Sequence, residues 1–238
     1  LTPTVLACRC PKLVAPAMNT GMYENPATQA NLARLREYGA EVIDPACGRL
    51  ACGAVGPGKM PEPEQLLAHI QRHLACEKDM AGLRVLVTAG PTREALDPVR
   101  FLTNHSTGRM GYELARAAML RGAQVTLVSG PTALEPPPFV ELVPVESAQQ
   151  MRDAVMAVAP AQDVIIKAAA ADYRPAHPAD EKIKKSGDAL TLELARTPDI
   201  LAELGAARRP GQFLCGFAME TKDLLGNARA KLEKKGAD

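Results

Sequence analysis

From Leu83 onward, short and almost continuously apolar runs rich in β-favouring residues alternate with helical patterns, and this alternation constrains the fold more than any other feature of the chain. A strand that is apolar on both faces must be covered on both faces, and the intervening helices supply the cover. The pattern therefore specifies an α/β fold with a doubly wound parallel sheet. The expected strands are 83–89 (LRVLVTA), 123–129 (AQVTLVS), 140–145 (VELVPV), 163–169 (DVIIKAA) and 212–218 (QFLCGFA). The expected helices are 110–121, 147–159, 198–207 and 221–235. Strands of an antiparallel sandwich would alternate apolar and polar residues instead.

Before Leu83 lies a different piece, with strands at 12–17 and 40–45, helices near 24–38 and 62–76, and a Gly-rich loop between them. The polar stretch CEKDMAG (76–82) reads as a linker, which gives domains over 1–78 and 79–238. The run ALEPPPF (133–139) reads as a stiff spacer between strands in preference to a partner-recognition segment. A chain of 238 residues that is 47% hydrophobic can bury two cores. Its net charge of +1 and 3% aromatic content argue against a nucleic-acid partner. No stretch reaches the ~18 apolar residues that a membrane span needs. Six irregularly spaced cysteines fit free thiols in a reducing, cytoplasmic setting. The chain starts at Leu1 and stops at KKGAD, where an α/β pattern calls for another strand, so both ends are expected to be cut.

The chemistry gathers in the loops that follow the strands. After the first, TAGPTREALDPVRFLTNHSTGRMG leads into a helix starting near Arg109 or Met110. Loop N–H groups, the helix N-terminus and the Ser106 and Thr107 hydroxyls outline an anion site, with Gly108 and Gly111 permitting close approach; the same polar residues also suit simple helix capping. Neither the dinucleotide fingerprint nor the P-loop pattern is present. After the fourth strand, KAAAADYRPAHPADEKIKK leaves room beside Ala168–Ala171, offers Asp172 to hydroxyls, and carries Lys182, Lys184 and Lys185. Alone, EKIKK reads as a solvated charge run; beside the Gly-rich loop it suits a triphosphate. In RTPDIL, Thr197 is the expected helix cap and Pro198 the first helical residue. Phe217 either lies against a base or packs in the core. Lys231 and Lys235 share a helix face, where lysines ordinarily only solvate.

Taken in order, TAGPTREALDPVRFLTNHSTGRMG, KAAAADYRP, KIKK, TPDIL and GFAMET resemble the phosphopantothenate-cysteine ligase half of the bifunctional coenzyme A biosynthesis family. The resemblance implies a Rossmann-like ligase domain in which CTP activates the carboxylate of 4'-phosphopantothenate as an acyl cytidylate, and the amine of cysteine then displaces CMP. It implies roles for Lys182 in activation, for Asn104 in positioning the acyl intermediate and for Arg100 in the same site. It places Ser106, Gly108, Ile166, Lys167, Ala168, Asp172, Lys182, Pro198, Asp199, Ile200, Leu201, Phe217, Lys231 and Lys235 in the nucleotide-binding set. Mg2+ is expected on the triphosphate, without a dedicated protein ligand, and the ligase is expected to work as a dimer within a homo-oligomer.

In the first segment, VAPAMNTGMYENP puts Asn19 at the end of a strand, and RLACGAVGPGKMPEP puts Cys52 in a Gly-rich loop, where a thiol is exposed. Cys8, Cys10, Cys47 and Cys52 also allow a zinc reading, though the spacing is not that of a common finger. PAMN and ACG resemble the phosphopantothenoylcysteine decarboxylase half of the same family, which implies a flavodoxin-like domain that uses FMN. There Asn19 holds substrate and Cys52 acts as proton donor, while Lys59 stands where an Arg is common. The family's flavin-binding strand and its catalytic histidine have no counterpart here, and His69 and His73 come too late in the chain. This polypeptide alone is therefore expected neither to hold FMN tightly nor to decarboxylate. Two rival functions remain at this point: a nucleotide-binding module without chemistry, and a dinucleotide oxidoreductase, which the missing fingerprint opposes.

Overall fold

A computed structural model of the chain describes residues 2–168, 170–184, 190–217 and 224–238. The chain forms two compact units, Leu1–Cys76 and Glu77–Asp238. Among the described residues no helix is long and apolar enough to cross a membrane.

In the first unit, α1 (Thr2–Ala7) leads to β1 (Leu13–Val14), and helices α2 (Thr20–Tyr23) and α3 (Pro26–Glu37) connect it to β2 (Glu41–Val42), its parallel partner. The strands expected over 12–17 and 40–45 shrink to two residues each. Pro16 and Pro45 lack the N–H that would extend a ladder. Asn25 caps α3 by accepting from the Ala27 N–H, with Pro26 at the first helical position.

The stretch expected as a Gly-rich loop is a hairpin, β3 (Ala46–Arg49) against β4 (Val55–Lys59), closed by a Leu50 N–H donated to the Ala54 carbonyl at 2.8 Å. Helix α4 (Pro63–Leu74) follows. The Glu41 carboxylate ties it to β2, one oxygen meeting His69 Nδ1 and the other His73 Nε2 at 2.6 Å. Burial raises the Glu41 pKa, but the two imidazole contacts outweigh it and hold the carboxyl below its ordinary range. A depressed carboxylate stabilises the fold above its unfolded pKa and loses that contribution as pH falls through the folded value. Glu41→Gln is thus expected to lower the urea midpoint at neutral pH, with the deficit fading below about pH 4; urea titrations on either side of that pH check it.

The second unit is built on β5 (Arg84–Ala89), followed by the hairpin β6 (Glu94–Ala95) with β7 (Phe101–Leu102), then α5 (Arg109–Leu120), β8 (Gln124–Ser129), β9 (Glu141–Pro144), α6 (Ala148–Val158) and β10 (Val164–Lys167). A second hairpin, β11 (Tyr173–Pro175) with β12 (Leu194–Arg196), precedes α7 (Ile200–Ala206), β13 (Phe213–Gly216) and α8 (Leu224–Lys235). The five-stranded parallel sheet has the order β13-β10-β5-β8-β9, so the chain enters at the middle strand, builds out to one edge and then returns to build the other. Successive residues of β5 face opposite ways. Val85, Val87 and Ala89 pack with Tyr112, Ala115 and Met119 of α5, while Leu86 packs with Met151 and Val155 of α6 and with Ile200 and Leu204 of α7. Both faces are covered, and each large aliphatic side chain buried this way contributes about 1.5–3 kcal/mol.

Helix α7 starts later than the sequence reading had it. Asp199, not Thr197, is its cap, accepting from the Ala202 N–H at 3.1 Å. The Thr197 hydroxyl instead donates to the Ala171 carbonyl, which joins the start of α7 to the end of β10. Of the expected elements and motifs, residues 169, 185 and 218–223 lie outside the described residues.

Candidate functional site

The strand order reverses between β5 and β10, and such a reversal leaves a crevice at the carboxyl ends of the strands. Beside it lies a cleft of about 430 Å³ lined by Lys167, Ala170, Ala171, Asp172, Tyr173, Arg196, Thr197, Pro198, Asp199, Ile200, Leu201, Phe217, Lys231 and Lys235. Nine of the sequence-predicted residues meet here: Lys167, Asp172, Pro198, Asp199, Ile200, Leu201, Phe217, Lys231 and Lys235.

They do not all offer side chains. Phe217 is 40% exposed, so its ring is not a core residue. Ile200 and Leu201 are buried and pack with Leu86, Val155 and Leu214; a ligand can meet only their backbone. Ile166 does not line the cleft, because its side chain packs on the α5 side of the sheet. Ala168 is absent from the lining too, and its N–H is donated to the Thr88 hydroxyl at 2.9 Å.

The cleft is cationic and partly self-compensated. Lys235 forms an ion pair with Asp199, and Lys231 donates to the Phe217 carbonyl at 3.2 Å. Burial pushes the Lys167 pKa below its ordinary value; Lys231 and Lys235 push the same way, and Asp172 pulls against them. An ammonium held under such strain is relieved by an anion.

The Gly-rich loop lies outside this lining. Gly108 caps α5 at φ +79°, a backbone state that glycine adopts without a Cβ penalty. Its N–H faces the Ser106 hydroxyl at 3.3 Å, the Arg109 N–H faces the Thr107 hydroxyl at 3.4 Å, and Asn104 Oδ1 accepts from the Ser106 N–H at 3.0 Å. The close approach at Gly111 is taken by the protein itself: a Cβ there would stand 2.5 Å from that of Ala89.

Arg100 and the lysine segment are held together by a residue the sequence reading missed. Asp97, whose side chain is fully buried, accepts from the Val99 and Arg100 N–H groups through Oδ1, and from Arg100 Nε (2.9 Å), Arg100 Nη2 and the Ile183 N–H (3.1 Å) through Oδ2. Arg100 Nη2 also donates to the Ile183 carbonyl at 2.9 Å. The guanidinium and three backbone donors hold the Asp97 carboxyl far below the usual carboxylate range. Lys182 and Lys184 flank Ile183 and are both exposed. The bond from Asp97 to a residue so far along the chain left no mark in the sequence.

In the first unit, Asn19 and Cys52 come into contact. Asn19 caps α2 through Oδ1, accepting from the Gly21 N–H at 2.8 Å, and donates from Nδ2 to Cys52 Sγ at 3.0 Å. The Ala54 backbone N–H, and then the Asn19 amide, lower the Cys52 pKa. The hairpin reaches Asn19 because Gly58 lies against Met18, its carbonyl accepting from the Met18 N–H at 3.0 Å. Lys59 pairs with Glu62 at 2.6 Å. Cys8 and Cys10 stand with Sγ atoms 2.9 Å apart, but among the described residues no group of three or more His, Cys, Asp or Glu is placed to hold a metal ion. Asn19→Ala removes the side-chain donor to the sulfur and is expected to slow alkylation of Cys52 severalfold near neutral pH, read peptide by peptide in a mass-spectrometric time course.

A family model described as the DNA/pantothenate metabolism flavoprotein C-terminal domain matches residues 80–238, and one described as Flavoprotein matches residues 2–75. The coenzyme A biosynthesis bifunctional protein CoaBC of Vibrio vulnificus is 52% identical over 241 residues, covering 100% of this chain and 60% of the relative. That of Bacillus subtilis is 49% identical over 242 residues, covering 100% of this chain and 59% of the relative. The chain thus spans about 60% of the length of such relatives. Among solved structures, the C-terminal domain of a coenzyme A biosynthesis bifunctional protein CoaBC aligns with a TM-score of 0.59 at 50% identity, covering 66% of this chain and 74% of that one. The DNA/pantothenate metabolism flavoprotein from Streptococcus pneumoniae aligns with a TM-score of 0.58 at 26% identity, covering 66% and 80%. With residues 80–238 matched by its C-terminal domain model and residues 2–75 by the flavoprotein model, this chain belongs to the DNA/pantothenate metabolism flavoprotein family.

Proposed function

We propose that Glu77–Asp238 is the CTP-dependent phosphopantothenate-cysteine ligase part of a coenzyme A biosynthesis enzyme, and that Leu1–Cys76 is the C-terminal part of a phosphopantothenoylcysteine decarboxylase domain. The observation that carries the ligase reading is the cationic cleft at the end of β10, which joins an exposed aromatic face to three lysines. That the strand order matches that of dinucleotide folds supports a Rossmann-like description.

In the proposed reaction the carboxylate of 4'-phosphopantothenate attacks the α-phosphorus of CTP, forming the acyl cytidylate and releasing pyrophosphate. The amine of cysteine then attacks the acyl carbon, forming the amide, losing a proton and releasing CMP. The ring of Phe217 faces the base, and Lys167, Lys231 and the α7 start hold the nucleotide. Lys182 neutralises charge during activation, while Asn104 and Arg100 position the acyl group. Mg2+ is proposed to accompany the triphosphate, where it would offset the phosphate charge.

For the first unit, Asn19 is proposed to hold the substrate and Cys52 to donate a proton. FMN is the cofactor this reading gives the family. The described residues of the unit do not fit a flavin by themselves: Leu32 and Ile43 are buried, while Met22, Tyr38, Val55, Leu67 and Leu74 stand exposed, and a flavin ring needs a buried apolar slot. The ligase unit is proposed to act as a dimer in a homo-oligomer.

The test is CMP release from CTP in the presence of magnesium, with ATP as control. Release that requires both 4'-phosphopantothenate and cysteine is the expected result. CTP binding without CMP favours the second reading, a nucleotide-binding module, to which the position of Lys182, Asn104, Ser106 and Gly108 outside the cleft lining lends weight. The depressed Lys167 pKa adds a further expectation. An anion raises it, so at a pH between the free and bound values CTP binding takes up protons. Titration calorimetry in buffers of different ionisation enthalpy checks this, and Lys167→Met removes the uptake.

A further inference from the structure

We infer that Asp97 is a positioning residue of the ligase reaction: its carboxylate clamps the backbone of Ile183 to Arg100 and so sets the place and direction of Lys182. The inference rests on the ligase reading given above.

The geometry is specific. Oδ2 of Asp97 receives the Ile183 N–H at 3.1 Å, and the Arg100 guanidinium, itself gripped by the same oxygen, donates to the Ile183 carbonyl at 2.9 Å. Both backbone groups of one residue are held, as in a strand bridge, by a single carboxylate–guanidinium pair. A third tie, from the Ala179 N–H to the Leu96 carbonyl at 3.0 Å, lays the approaching chain along the same turn. Ile183 is half-buried beneath the clamp, while its neighbours Lys182 and Lys184 are exposed. None of these bonds involves a residue that lines the cleft.

The chemistry of the clamp explains why a carboxylate is needed. The buried Asp97 carboxylate receives donors alone: three backbone N–H groups and a guanidinium. An asparagine of the same shape has one oxygen to accept with and an amide that donates, so the donors facing its nitrogen lose their acceptor. Arg100 then loses the charge that holds it, and the Ile183 backbone is released at both ends. Nucleotide held in the cleft is not touched by this change. A reaction that depends on where Lys182 stands is.

The experiment is a double-mutant cycle of Asp97→Asn and Lys182→Gln, measuring CMP release with CTP, magnesium, 4'-phosphopantothenate and cysteine, together with CTP affinity and the urea midpoint of each variant. Asp97→Asn is expected to lower kcat about 10- to 30-fold with CTP affinity within about threefold of wild type, and to add less than about twofold to the loss in the Lys182→Gln background, since two residues acting through one contact are not additive. Full additivity in the cycle overturns the inference, and so does a loss of CTP affinity that parallels the loss of kcat, because each marks a merely structural role. If Asp97→Asn fails to fold, Asp97→Glu takes its place in the cycle; it keeps the charge and moves both accepting oxygens away from the Ile183 N–H by a methylene, and the same outcomes decide. A wild-type chain that forms no CMP overturns the ligase reading and Asp97's part in it together. A wild type that forms CMP alongside an additive cycle overturns the role of Asp97 alone.

Discussion

Replacing Lys182 with glutamine is expected to lower CMP release by on the order of 10²- to 10³-fold while CTP affinity stays within about threefold of wild type, because a cation placed where charge develops acts on the transition state more than on the ground state. The proposed reading separates these two duties, and the two sets of lysines stand in different places. Lys167, Lys231 and Lys235 line the cleft, whereas Lys182 sits on the segment pinned by Asp97 and Arg100, outside that lining. A cation that merely adds to the binding field would, on removal, raise the KM for CTP with little change in kcat. Steady-state kinetics with varied CTP distinguish the cases. A loss confined to KM would show that Lys182 belongs to the ground-state anion site, and the division of labour between cleft and lysine segment would have to be abandoned.

The second large effect is expected at Gly58, on stability and thiol chemistry together. Gly58 has φ +139°, and a Cβ there would stand 2.1 Å from the Met18 carbonyl oxygen, which is backbone and cannot swing away. Gly58→Ala must move the hairpin off the PAMN segment. A cost of about 2–4 kcal/mol follows from the steric conflict and the unfavourable φ together. The same displacement removes the Asn19 amide from the Cys52 sulfur, so the thiol returns towards ordinary behaviour, as in Asn19→Ala but with the unit also weakened. Urea unfolding followed alongside Cys52 alkylation measures both. An unchanged midpoint would contradict the packing of Gly58 on Met18.

What the sequence made legible was whatever is encoded locally. Runs such as Val85–Ala89 and Val125–Val128 announce buried strands because every residue in them is apolar or small, and the helix expected from Arg109 or Met110 begins at Arg109. Short motifs such as TPDIL and KAAAADYRP marked where the chain leaves the sheet, and the fold gathers several of their residues around one cleft. The illegible parts are contacts between polar residues distant in sequence. Asp97 with Ile183, Asn19 with Cys52, and Glu41 with both His69 and His73 each depend on a tertiary approach that no periodicity records. The cap of α7 was misplaced for a related reason. Thr197 and Asp199 both suit an N-cap, and Thr197 was diverted to the Ala171 carbonyl by the neighbouring loop. The two-residue hairpin strands β6 and β7 were too short to leave a pattern.

The middle position of β5 carries a consequence for the order in which the unit is assembled during synthesis. The first strand made has neighbours on both sides, yet they become available at different times: Val85 pairs with Val125 of β8 and then, much later in the chain, with Val164 of β10. As the polypeptide leaves the ribosome, β5, α5 and β8 can close into a local unit, while the opposite flank of β5 waits for β10 and β13 to emerge. The cationic cleft lies at the ends of those late strands and is completed by α7 and α8. A nascent chain therefore acquires its scaffold before its cationic cleft, and a ribosome stalled between β9 and β10 would display a half-built sheet with no such cleft to fill.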